Sequence, residues 1–148
     1  MNESKIVDGL NDLLAKNYDA EKGFMEAADE TENGVLAALY REKASQRYTF
    51  GHQIKDILRE MGGEIDKGTS TMGDLHRTWM NFKKFFSFDK EEAILEEIEN
   101  GEEAAVKEYN EFLENSEVPH SIRRIITAQR NAIRKTLDKI EELEEAHD

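Results

Sequence analysis

The sequence predicts an all-α fold: four long amphipathic helices in an up-down-down-up bundle, with an extra helix in the long crossover between the second and third. Three observations carry this. Apolar residues recur with a period near 3.6 through four separate stretches. The 148 residues include one proline, Pro119, and nine glycines, so little interrupts those stretches. Two of the three links are short, and short links make antiparallel neighbours, whereas the third is long enough to run back along the bundle.

The first helix is expected over about residues 5–30, with Ile6, Leu10, Leu13, Leu14, Asn17, Glu21, Phe24, Met25 and Ala28 on one stripe. A short turn around ETENG leads into the second, about 34–61, which turns Leu36, Leu39, Phe50, Ile54, Ile57 and Met61 inward. Gly62 and Gly63 end it, because the left-handed backbone that closes a helix favours glycine. The crossover takes residues 62–89, and there Met72, Leu75, Trp79, Phe82 and Phe86 form another apolar stripe. A helix of about 15 residues in that link would cover roughly 22 Å. The third helix begins near Lys90 and carries Ile94, Ile98, Ala105, Tyr109 and Phe112. The fourth follows Pro119, a residue suited to a first helical turn, and carries Ile122, Ile125, Ile126, Ile133, Leu137, Ile140 and Leu143. No internal repeat or linker divides the chain, so residues 1–148 are read as one domain.

Composition excludes several functions. With 33 acidic against 20 basic residues, the formal net charge is −13. Such a chain is poorly suited to phosphate backbones or anionic membranes, which are gripped through Lys and Arg. The local basic runs HSIRR and AQRNAIRK read as solvated helix faces, as does the acidic tail IEELEEAHD. The absence of cysteine removes thiol chemistry, disulfides and cysteine-based zinc sites. There is no basic, then apolar, leader and no membrane-length apolar run, so a cytoplasmic protein is expected. No phosphate-binding loop, nucleophile elbow or Ser-His-Asp order is visible.

What remains is a set of polar residues on the inward faces. On a helical wheel Glu21 lies within about 20° of the centre of its stripe, Lys43 and Gln129 are central in theirs, and Glu102 is about 30° off. Counted outward from the two short turns, Glu21 and Lys43 have matching depths, and Glu102 pairs with the residue after Gln129. These residues are expected to form a polar layer across the bundle, with Asn17 and Arg47 in an adjacent one. The arrangement invites comparison with di-metal carboxylate bundles, which take a glutamate from each of two helices and a Glu-x-x-His pair from each of the others. Here Lys43 is the inward residue of the second helix, and Glu42, towards the margin, is followed by Ser45 rather than histidine. Gln129 is followed by Ala132, and His52, His76, His120 and His147 all fall elsewhere. An ammonium is a natural counter-ion for buried carboxylates. The expectation is therefore a structural salt-bridge layer with no cofactor and no catalytic residue. The alternative is iron or manganese held by Glu21 and Glu102, with Glu42 and Gln129 as further ligands. Trp79, Phe82, Phe85, Phe86 and Phe88 are expected to seal the crossover onto the bundle and to leave a patch for self-association, as a homodimer or other homo-oligomer, or for an unidentified protein partner. Tyr40, Tyr48 and Tyr109 read as core-margin tyrosines.

Several of these segments together resemble a known family. LNDLLAKNYDAEKGF in the first helix, ASQR and EMGGE in the second, GDLHRTWMNFK in the crossover and EEAILEEIENGEEAAVKEY in the third are similar to a bacterial family of ferritin-like four-helix bundles known chiefly as a domain of unknown function. The resemblance runs from about Leu10 to Leu143. It implies a ferritin-like bundle in a bacterial cytoplasm, with a stress association, and supplies no established reaction. In the wider ferritin-like superfamily Glu21 and Glu102 would match the single glutamates of the first and third helices. Lys43, Ser45 and Ala132 depart from its ligand pattern.

Overall fold

The computed structural model describes residues 3–65 and 89–147, and in these it is helical with no strand. Among the described residues there are four helices: α1 (Glu3–Glu30), α2 (Gly34–Met61), α3 (Lys90–Leu113) and α4 (His120–His147). The expected crossover helix, with Met72, Leu75, His76, Trp79, Phe82, Phe85, Phe86 and Phe88, lies outside the described residues.

Local chemistry accounts for the helix ends. Asn33 caps α2, its side-chain oxygen accepting from Val35 N at 2.9 Å and Leu36 N at 3.1 Å. At the other end Gly62 has φ of 71°, and its N–H and that of Gly63 return to Arg59 and Leu58 carbonyls at 3.1 and 2.9 Å. Asp89 caps α3 by accepting from Glu92 N at 3.1 Å. Pro119 stands just before α4, its carbonyl accepting the Arg123 N–H at 2.9 Å. The Arg123 guanidinium donates to the Leu113 and Asn115 carbonyls, both at 2.7 Å, and so closes the end of α3.

The short links make α1 and α2 one antiparallel hairpin and α3 and α4 another. Between hairpins, α1 packs mainly on α3 and α2 touches α4 sparingly. Helices α1 and α3 run in opposite directions. Lys16 meets Glu108 at 3.6 Å near the middle, and Thr31 and Glu32 meet Glu91 and Lys90 at the far end of the pair.

Each helix buries a seam of alternating three- and four-residue steps, the pattern of knobs-into-holes packing. In α2 it runs Ala37, Tyr40, Ala44, Arg47, Gly51, Ile54, Leu58, and in α4 Ile122, Ile126, Gln129, Ile133, Thr136, Ile140. Two apolar residues placed inward from sequence are exposed instead. Met25 is 47 % exposed beside Phe24 and Ala28, and Ile125 is 37 % exposed beside Ile126. A residue next to a seam position is turned about 100° from it. The apolar interior forms two clusters. Leu10, Leu14, Ile54, Tyr109 and Ile126 belong to one, and Phe24, Tyr40, Ile94, Leu95 and Ile140 to the other. Asn17, Arg47, Glu102 and Thr136 are buried between them in chain order on their four helices.

Candidate functional site

The middle of the bundle holds a small set of polar groups, which fall into two bonded units. The first is an ion pair: Arg47 Nη1 on α2 donates to Glu102 Oε1 on α3 at 2.9 Å. Both side chains are almost wholly shielded, at 2 % and 4 % exposure. Burial pushes the Glu102 carboxyl above the usual carboxylate range, while the Arg47 guanidinium and then the Lys43 ammonium pull it back. Two charges can remain in such an interior only because each neutralises the other.

The second unit is a hydrogen-bonded relay. Asn17 Nδ2 on α1 donates to the Leu13 carbonyl at 2.8 Å and to the Tyr109 hydroxyl at 2.7 Å. That hydroxyl donates to Gln129 Oε1 at 2.7 Å, and Gln129 Nε2 donates to Gln53 Oε1 at 2.8 Å and the Phe50 carbonyl at 3.2 Å. The relay thereby ties all four helices. Burial raises the Tyr109 hydroxyl to about 12, although the Asn17 hydrogen bond and Arg47 oppose the rise. Tyr109 therefore stays protonated and can donate.

Asn17, Arg47, Glu102 and Gln129, all expected in the two polar layers, are buried, but Glu102 is paired with Arg47, expected in the adjacent layer, rather than with Lys43. Lys43 is half-buried and lies 3.5 Å from Glu42, whose side chain is 71 % exposed. Arg47, one turn further along the α2 seam, holds the buried carboxylate instead. Glu21 is half-buried on α1 and makes no hydrogen bond or ion pair with a described residue. Ser45 is exposed and Ala132 half-buried. Tyr109 and Thr136 are buried with Asn17, Arg47, Glu102 and Gln129, and Asn11, nearer the start of α1, is buried as well and donates to the Val7 and Glu64 carbonyls at 3.2 and 2.8 Å. Tyr109 was legible as a stripe residue of α3, two seam steps beyond Glu102, but its hydroxyl partners were not.

This donor set does not fit a di-metal centre. Such a site needs several carboxylates and imidazoles converging on one point. Here a guanidinium occupies one oxygen of the buried glutamate. His52 and His120 are exposed, and His147 is paired with Asp89 at 2.8 Å. Among the described residues the donors that approach within 4.8 Å of one another are Asp89, Glu92 and His147, far along the bundle at the start of α3 and the end of α4. There Asp89 already serves as the α3 cap, and its carboxyl is held below the usual range by the Glu92 N–H and by His147.

No helix among the described residues is long and apolar enough to cross a membrane. No curated protein matches the chain. Residues 5–115, three quarters of the sequence including α1, α2 and the Arg47–Glu102 pair, match the family described as Domain of unknown function (DUF2383), and the chain belongs to that family.

Proposed function

We propose that the chain is a non-enzymatic, ferritin-like helical bundle that works by association, first with a second copy of itself, and that its central polar layer stands where relatives of that fold would hold two metal ions. The observation that carries the non-enzymatic part is the Arg47–Glu102 pair at 2.9 Å. It commits one oxygen of the buried carboxylate to a fixed guanidinium rather than to a metal ion or a reacting group. Support for the fold reading comes from the antiparallel run of α1 and α3, which is the relation that an up-down-down-up order requires. A helix in the crossover and a cytoplasmic, stress-linked setting in a bacterium belong to the same proposal and rest on the sequence resemblance.

Support for association is in the sequence. Five aromatics, Trp79, Phe82, Phe85, Phe86 and Phe88, fall within ten residues of an otherwise polar chain. Sedimentation velocity from low to high micromolar concentration tests it. A sedimentation coefficient that rises with concentration is expected, and a strictly monomeric species throughout would remove the basis for association. Iron or manganese held by Glu21 and Glu102 is the competing outcome. Elemental analysis after expression with both metals separates the two. Stoichiometric metal that disappears in Glu102→Gln would overturn the non-enzymatic reading, and trace metal unaffected by that change would support it.

A further inference from the structure

A cleft of about 210 Å³ lies between α1 and α3, walled by Ala20, Gly23 and Phe24 on one side and Ile98, Gly101 and Glu102 on the other. It exceeds the roughly 150 Å³ that suffices to take up benzene in an engineered apolar cavity. Glycine in a helix interior weakens the helix. At Gly101 no packing demands it, since a β-carbon built there meets nothing within 4 Å. The space is therefore a property of the sequence rather than of crowded neighbours.

Three acidic residues, Asp19, Glu97 and Glu102, line the cleft, and two of them, Glu97 and Glu102, are incompletely matched. Glu102 is 3 % exposed, and only its Oε1 is held by Arg47. Its Oε2 accepts no hydrogen bond from a described residue. Glu97 also lines the cleft and pairs with no described cation, and burial pushes its carboxyl upward. The one basic residue present, Lys16, is drawn aside to Glu108 at 3.6 Å.

We propose that this cleft is a binding site for a small organic ammonium compound, its cationic head directed to Glu97 and Glu102 Oε2 and its apolar body lying against Phe24 and Ile98. An ammonium supplies the donors that these oxygens lack, and its alkyl or aromatic body suits walls that offer few polar atoms. A bare metal ion is a poorer occupant, because Ala20, Phe24, Ile98 and Ala105 bring no oxygen donors to it. An anion would meet uncompensated carboxylates. The net charge of −13 favours cation capture over the whole surface. The inference goes beyond the association reading and does not depend on it, since the cleft exists within one chain.

Titration of the full-length ¹⁵N-labelled protein with benzylamine, benzyl alcohol and benzoate tests the proposal. Benzylamine should bind saturably and shift the Gly23, Ile98 and Gly101 amides. Benzyl alcohol should bind at least about tenfold more weakly, the difference expected of one good charge-assisted contact, and benzoate not at all. Gly101→Leu fills the space with a strong helix former and should abolish binding without lowering helicity or the melting temperature. Glu97→Gln, a surface-side change, should weaken it several-fold. Failure of benzylamine to saturate in the millimolar range, equal binding of the alcohol, or unchanged binding in Gly101→Leu would each overturn the assignment.

Discussion

Lys43 and Arg47 lie one turn apart on α2, carry the same charge and face the same carboxylate, yet they differ in energetic weight. Arg47 is sealed against Glu102, so removing it leaves a buried carboxylate without its cation. Arg47→Met is expected to destabilise the protein by about 3–5 kcal/mol in urea unfolding, and adding Glu102→Leu to it should recover most of that loss. Lys43 has only an exposed partner in Glu42 and acts on Glu102 from a distance. Lys43→Met should therefore cost no more than about 1 kcal/mol. Equal effects of the two methionine variants would show that the charge is shared rather than centred on Arg47. Tyr109 carries a different load. Tyr109→Phe leaves the ring's packing in place but strands one Asn17 donor and Gln129 Oε1, and Asn17 Oδ1 already lacks a partner. Such buried orphans imply a loss of about 1–3 kcal/mol by the same measurement. The misplacement of the cation has a physical origin. A wheel weighted by large apolar residues follows Leu36, Leu39, Phe50 and Met61, whereas the α2 seam is built on Ala37, Ala44 and Gly51. Small residues admit a neighbouring helix closely but contribute little to a hydrophobic average. The true centre is rotated accordingly, and Arg47 rather than Lys43 falls on it.

At the scale of the elements, α3 and α4 are joined by a seam that becomes acidic toward one end. Glu144 on α4 faces Glu99 and Glu96 on α3 and shares its own helix with Glu141, and its Oε1 is sealed without a partner. Desolvation first, then repulsion by Glu99, raises its carboxyl to about 7. Its position in the last turns of α4, where the helix dipole favours positive charge, acts in the same direction. The sign of the linkage follows. The folded state holds this proton more tightly than the unfolded chain, whose glutamate titrates near 4.5. Stability from this group is therefore full below that value and falls as pH rises toward 7. Glu144→Gln keeps the shape and removes the charge. It should leave the urea midpoint nearly unchanged at about pH 4.5, and raise it relative to the wild type at about pH 8. A variant no more stable than the wild type at the higher pH would mean that the α3–α4 acids are separated by solvent. Sequence alone marked IEELEEAHD as a solvated end. That one of its glutamates turns back toward α3 follows from register, which depends on how the two helices are set along each other.

At the scale of the whole molecule, the four helices of the described residues were legible because periodicity and punctuation agree. The expected 34–61 segment coincides with α2, since Asn33 and Gly62 mark its ends chemically. The cleft between α1 and α3 was not legible, because a gap is the absence of side chains at a contact and leaves no periodic trace. Global charge adds a constraint on how copies could meet. At −13, two chains repel each other at long range, and salt reduces that repulsion as the screening length falls from about 10 Å at 0.1 M to about 3 Å at 1 M. Apolar contacts through the aromatic run at residues 79–88 would not weaken under those conditions, whereas an interface built on exposed ion pairs would. Sedimentation equilibrium in dilute buffer and in about 0.5 M sodium chloride distinguishes the two. Association through aromatic surface predicts a tighter dimer at high salt, and Phe82→Ser with Phe86→Ser should return it to monomer while α1–α4 keep their helicity. Weaker association at high salt, or association untouched by the paired serines, would place the contact on charged helix faces instead and remove the aromatic run from the interface.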